Sequence, residues 1–125
     1  GYTYSGHPLA AAAAIGTLDT YKDDKIMENA TAMAKPWEDA IHSLKDMPHV
    51  VDIRNCGILG AIQLDNASND DPGRFAREAY VELFNKGVMV RYTGNNIALS
   101  PPLILNQDHI DQLFTTIRDV VSNLS

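Results

Sequence analysis

At 125 residues, with 45% hydrophobic and 21% charged side chains, the chain has the length and balance of one globular domain. Such a domain buries roughly two-thirds of its unfolded surface, which excludes a disordered or collagen-like polymer. Ten basic residues against sixteen acidic ones leave a net charge of −6 and no Lys/Arg stripe that could track phosphates, so neither nucleic acid nor an anionic membrane is the expected partner. The one cysteine, Cys56, forbids an intrachain disulfide and fits a reducing, cytoplasmic compartment, and no apolar run approaches the ~18 residues of a membrane helix.

The first residue is not methionine, so either the N-terminus is processed or the chain is a piece of something longer. Residues 1–8, GYTYSGHP, set two tyrosines, two hydroxyl residues and two glycines ahead of Pro8, which suits a first helical turn because its missing N–H is no loss there. The start of that helix would offer free N–H groups and a positive dipole end beside Thr3 and Ser5. Two readings stay open: a place for phosphate, or an ordinary cap. Residues 9–21 hold five consecutive alanines and then Ile15, Leu18 and Tyr21 at helical spacing. This thin face buries little area and must lie against a larger body to be stable. Asp23 and Asp24 offer a break and a new N-cap, after which Ile26, Met27, Ala30, Met33, Ala34, Trp37, Ile41 and Leu44 recur at helical spacing. Pro36 is expected to kink or split this second helix. Trp37 and the methionines read as core, and His42 as a surface residue.

After Met47-Pro48-His49, residues 50–55 and 58–64 read as an antiparallel strand pair about Cys56-Gly57. Val51, Ile53, Ile58, Ala61 and Ile62 supply its buried side, while Gly57 and Gly60 suit a bulge or a close crossing. Arg54 is taken as a structural charge. Cys56 has no neighbouring base or anion-stabilising motif and is expected to be buried or half-buried. Residues 65–73, DNASNDDPG, form a polar loop without the ligand spacing or terminal glutamate of a calcium loop, so no metal site is expected. Residues 74–86 follow as an amphipathic helix with Phe75, Ala79, Leu83 and Phe84 inward, closed by Gly87.

A hairpin comes next: strands 88–92 and 97–100 flank Thr93-Gly94-Asn95-Asn96, residues that tolerate positive φ. Alternation puts Val88 and Val90 on one face and Met89 and Arg91 on the other, so a guanidinium is held on a rigid element beside a tight turn. Arg91 is either aimed at a ligand or is an edge-strand charge that discourages sheet-to-sheet pairing. Beyond Pro101-Pro102, Asn106 caps a last helix whose buried stripe is Ile110, Leu113, Ile117, Val120, Val121 and Leu124, with His109 in its first turn and no partner evident. The predicted architecture is α+β: a three- to four-stranded, mostly antiparallel sheet with helices on one face, preceded by long connecting helices.

Two separated segments resemble the class III pyridoxal-phosphate aminotransferases of fold type I, in the branch of omega-amino-acid:pyruvate transaminases. The first is Gly1-Tyr2-Thr3-Tyr4-Ser5-Gly6-His7-Pro8 with its alanine-rich helix, similar to the segment shortly after the family's Schiff-base lysine. The second is Val90-Arg91-Tyr92-Thr93-Gly94-Asn95-Asn96 leading to Leu99-Ser100-Pro101-Pro102-Leu103, similar to the C-terminal substrate-recognition segment. Spacing and order agree between them, so the resemblance covers essentially the whole chain.

The resemblance implies a homodimer using pyridoxal 5′-phosphate, in which Thr3 donates its hydroxyl and backbone N–H to the cofactor phosphate of the partner subunit and Tyr2 lines that same site. Arg91 matches the mobile arginine that pairs with the carboxylate of an amino or keto acid and swings aside for an amine lacking one. A planar guanidinium on a long side chain suits both tasks. The family's lysine, the aspartate paired with its pyridine nitrogen and its glycine-serine phosphate cup have no counterpart. Lys22, Lys25, Lys35, Lys45 and Lys86 all fall on helices or at their ends. The expectation is therefore the C-terminal portion of a transaminase acting on a small-molecule amino donor and a keto acid such as pyruvate. Residues 1–46 would be the end of the large domain and connecting helices, and residues 47–125 the small C-terminal domain. Taken alone, this portion would be inactive and would not bind the cofactor. The alternative is a self-contained α+β binding or interaction module; a metal- or cysteine-dependent hydrolase has no supporting constellation.

Overall fold

The computed structural model describes residues 1–65 and 70–125. The elements run α1 (Pro8–Asp23), α2 (Ile26–His42), β1 (Val50–Cys56), β2 (Leu59–Leu64), α3 (Arg74–Asn85), β3 (Arg91–Thr93), β4 (Asn96–Leu99) and α4 (Gln107–Ser122). Residues 66–69, in the middle of the polar loop expected at 65–73, lie outside the described residues.

Pro8 opens α1 as expected, and His7 caps it, its Nδ1 accepting from the Ala10 N–H at 3.4 Å. Asp24 does not cap α2. It closes α1 by donating its N–H to the Thr20 carbonyl, and Lys25, at φ 52°, makes the reversal in one left-handed step. That step leaves the Asp24 carboxylate outside the new helix. Pro36 does not split α2, which continues to His42. One missing N–H is offset because Trp37 and Ile41, in the next turn, are fully buried.

The sheet order is β1-β2-β4-β3 with every pair antiparallel, so β1 and β3 are the edges. A register shift between Val50 and Asp52 breaks the alternation in β1. Val51, expected inside, is consequently 55% exposed, while Val50 and Ile53 both pack against the core. Cys56 is exposed rather than buried or half-buried, because it pairs with Leu59 at the hairpin tip, where Gly57 takes φ 56°.

Ile62, Leu64, Ile97 and Leu99 point from the sheet into one core shared with Trp37, Ile41 and Leu44, with Phe75, Ala76, Ala79 and Leu83 of α3, and with Ile110, Phe114, Ile117, Val120 and Val121 of α4. The helices thus cover one face, and each large apolar side chain buried there contributes roughly 1.5–3 kcal/mol. Phe84, expected inside, is exposed, since it follows Leu83 by 100° around the helix and so leaves the Phe75–Ala79–Leu83 stripe. In α4, Phe114 is buried with its ring edge-on to Trp37 at 5.1 Å, while Leu113 and Leu124 are only half-buried. His109 has the partner that the sequence left unassigned. Its N–H donates to Asn106 Oδ1 at 3.0 Å and its Nδ1 accepts from the Asn106 N–H at 3.2 Å, a complete capping box.

Candidate functional site

The β3–β4 hairpin turns through Gly94, at φ 54°, and Asn95, with Thr93 opposite Asn96 and Arg91 opposite Ala98. Ile97 and Leu99 face the core, and Tyr92, opposite Ile97, lays its ring 5.2 Å from that of Tyr80 on α3. The alternate residues therefore occupy the face of the sheet that the helices leave open. Arg91 lies on that face, on an edge strand, exposed, and among the described residues its guanidinium has no hydrogen-bond or ion-pair partner. Its backbone is held while its head is free.

Residue 73 meets the other side of the turn. A Cβ on Gly73, which caps α3, would stand 2.9 Å from the Gly94 carbonyl oxygen, so the helix start and the hairpin tip are in direct contact. Beside it, Arg77 donates to Asp71 at 2.7 Å, and this hydrogen bond holds the Asp71 carboxyl below the usual carboxylate range. On the open face, Arg54 is the structural charge that was expected, but it spans three strands. It pairs with Asp52 on its own strand, and it donates to Gln63 on β2 at 3.3 Å and to Asn96 on β4 at 2.6 Å.

At the N-terminus, Tyr2 and Thr3 are exposed, in a turn where the Ser5 N–H donates to the Tyr2 carbonyl at 3.2 Å. The Thr3 hydroxyl and N–H have no partner among the described residues. The helix start itself is occupied by the His7 cap. The structure does not join these residues to Arg91: α1 touches α2 without burying a residue, whereas β3 packs on α3 and β4.

Residues 1–121 match the family model described as aminotransferase class III. The chain belongs to the class III aminotransferase family. It is 47% identical over 124 residues to an omega-aminotransferase of Caulobacter vibrioides, covering 99% of this chain and 28% of that one. It is 33% identical over its whole length to a beta-alanine–pyruvate aminotransferase of Pseudomonas aeruginosa, again 28% of that relative. Among solved structures, a transaminase with L-Ala superposes with TM-score 0.91 at 27% identity, over 98% of this chain and 30% of the other. A transaminase from the marine bacterium Virgibacillus superposes with TM-score 0.84 at 31% identity, over 97% and 30%. The chain thus spans little more than a quarter of the curated relatives it matches. The four-stranded antiparallel sheet with helices on one face is the architecture of the small C-terminal domain of fold type I enzymes.

In this class III chain, Lys22, Lys25, Lys35, Lys45 and Lys86 are all exposed. Lys35 hydrogen-bonds to Asp39, which raises its pKa, and Lys86 meets Asp119 at 3.2 Å. At Lys35 this is the opposite of what a nucleophilic lysine needs, a site that favours its neutral amine. Among the described residues no group of His, Cys, Asp or Glu could hold a metal ion, and no helix is long and apolar enough to cross a membrane.

Two contributors escaped the sequence reading. Asn29 on α2 donates its amide to the carbonyls of Leu103 and Leu105, at 2.8 and 2.9 Å, pinning the segment after Pro101-Pro102. Its only sequence signal was a polar residue on the flank of an apolar stripe. That segment walls a shallow apolar groove of about 690 Å³ with Tyr21, Ile26 and Leu59, and none of Tyr2, Thr3 or Arg91 lines it. The second is the reach of Arg54, which becomes visible only once β4 is known to lie beside β2.

Proposed function

We propose that this chain is the C-terminal part of a class III transaminase that moves an amino group between an amino acid or amine and a keto acid such as pyruvate. In this reading residues 1–46 end the large domain and connect, residues 47–125 form the small domain, and the complete enzyme is a cytoplasmic homodimer. The observation that carries the proposal is Arg91: a guanidinium on a braced hairpin, exposed and without a hydrogen-bond or ion-pair partner among the described residues. Such a group binds a carboxylate through two parallel hydrogen bonds, and with the backbone fixed only side-chain torsions need change to withdraw it. The small fraction of the relatives' length that this chain spans supports the view that the remaining machinery lies elsewhere.

The cofactor implied by the family is pyridoxal 5′-phosphate, which when bound supplies an electron sink for the substrate's Cα–H bond. The chain's own residues fit a share of that site. Thr3 offers two donors with no acceptor among the described residues, suited to phosphate oxygens, and the exposed Tyr2 beside it can cover the same group. Both residues are exposed, which supports the reading that they serve the neighbouring subunit's site, and in this reading the chain itself supplies no catalytic residue.

The test is substrate-selective. In the complete enzyme, Arg91→Ala lowers kcat/KM for keto and amino acids by about 10- to 100-fold, the loss expected for hydrogen bonds to a charged group, and leaves simple amines far less affected. Equal losses for both substrate types would remove Arg91 from carboxylate recognition.

A further inference from the structure

The hairpin that carries Arg91 is slight. β3 has three residues and lies at an edge, bonded only to the four residues of β4. Two short strands alone are marginal in water, so the aim of Arg91 depends on what restrains the pair. On the covered face the restraint is the Tyr92–Tyr80 contact, and at the tip it is the approach of Gly73 to Gly94. On the open face it is a polar chain. Asp52 holds Arg54 Nη1, Arg54 Nη2 donates to Asn96 Oδ1 at 2.6 Å, and Asn96 Nδ2 donates to Asn95 Oδ1 at 2.9 Å, inside the turn.

The register makes this chain more than surface decoration. Arg54 pairs with Ala61, Ala61 with Ala98, and Ala98 with Arg91, so the two arginines end one row across all four strands. Three strand spacings put their Cα atoms about 14 Å apart, on the same open face, with only alanine methyls between them. Arg54 is matched by the Asp52 carboxylate, whereas Arg91 has no such match among the described residues. One guanidinium is therefore tied down as a strut and the other left free to bind.

We propose that Arg54 is a positioning residue for Arg91: through its bond to Asn96 it fixes the pitch of the β3–β4 hairpin, and so sets how tightly a substrate carboxylate is held. This rests on the assignment of Arg91 to carboxylate recognition. Arg54 touches neither substrate nor cofactor in this scheme.

The test uses the complete enzyme and two variants that cut the strut from opposite ends. Arg54→Met keeps the aliphatic stem but removes the donors, and Asn96→Val removes the acceptor while leaving the Arg54–Asp52 pair in place. Both are expected to raise KM for a keto acid about three- to tenfold, less than the full value of a hydrogen bond from a charged group because the effect is indirect, with KM and kcat for a simple amine within twofold. The double variant is no worse than the worse single one. Asn96→Asp, which keeps an acceptor for Arg54 while giving up the Nδ2 donation to Asn95, brings the keto-acid KM back towards that of the native enzyme. In an Arg91→Ala background, Arg54→Met has no further effect on the keto acid. Equal losses for both substrates, or unchanged kinetics while Arg91→Ala remains selective, would overturn the role of Arg54 alone. An Arg91→Ala variant without selectivity would overturn the carboxylate reading and this inference with it.

Discussion

Arg91 and Thr3 are both donors without acceptors among the described residues, but their backbones differ in kind. Arg91 belongs to a hydrogen-bonded ladder, so its freedom is confined to the side chain. Thr3 belongs to a turn flanked by the exposed Tyr2 and Tyr4, so whatever orders it comes from outside. For the complete enzyme, Thr3→Ala is expected to weaken cofactor retention about three- to tenfold by equilibrium dialysis, with keto-acid selectivity unchanged. Unaltered cofactor affinity would remove Thr3 from the phosphate site. Val88, Met89 and Val90, expected in the strand, precede it, since β3 begins at Arg91, yet the expected outward orientation of Arg91 holds because it pairs with Ala98 on the open face. Its role was not legible, since an edge charge and a ligand contact have the same local pattern, and the proposed carboxylate role rests on the order of segments across the chain. His109 was opaque for a simpler reason: a capping box is recognised by Glu or Gln at the third position, and an imidazole that fills the place leaves no familiar signature.

Elements with long periodic patterns were readable, whereas their faces were readable only where the period was unbroken. α3 and α4 appear where the apolar spacing puts them, but the bulge in β1 turns Val51 outward, and a helix stripe drawn one residue too wide took in Phe84. The packing of α2 on β2 was half-visible as a glycine suited to close crossing. A Cβ at Gly60 would stand 2.5 Å from Ile41 Cδ1 and 3.4 Å from Trp37 Nε1, two side chains with no solvent-exposed surface into which to move. Trp37 Nε1 is itself buried without an acceptor among the described residues, so this crossing already carries the cost of one unpaired N–H against the area its ring buries. Gly60→Val is therefore expected to lower stability by about 1–3 kcal/mol, read from the urea midpoint at constant m-value. A neutral result would mean that α2 can lift from the sheet without cost, and that the crossing does not set the helix's position.

At the scale of the whole molecule, stability is unevenly distributed. α1 has no buried residue, and Leu9, Ile15 and Leu18 are 75%, 61% and 67% exposed, whereas α2, α3, α4 and the sheet share one core. A helix of 16 residues without tertiary burial sits near the limit of what propensity alone sustains, even with five alanines. The sequence announced this, since a face of alanines has little area to bury and needs a broad partner surface. What it could not reveal is how completely α1 stands apart, because that depends on where α2 turns. In the isolated 125-residue chain, α1 amides should therefore exchange with solvent at close to unprotected rates while those of β2 and α4 approach the protection set by global unfolding. Raising the concentration should slow exchange in α1 selectively, as its apolar side chains find each other in self-association followed by sedimentation. In the complete enzyme the same amides should be protected at every concentration. A dilute monomer in which α1 is as protected as α4 would show that the chain needs no further body, and would favour a self-contained module over part of a transaminase.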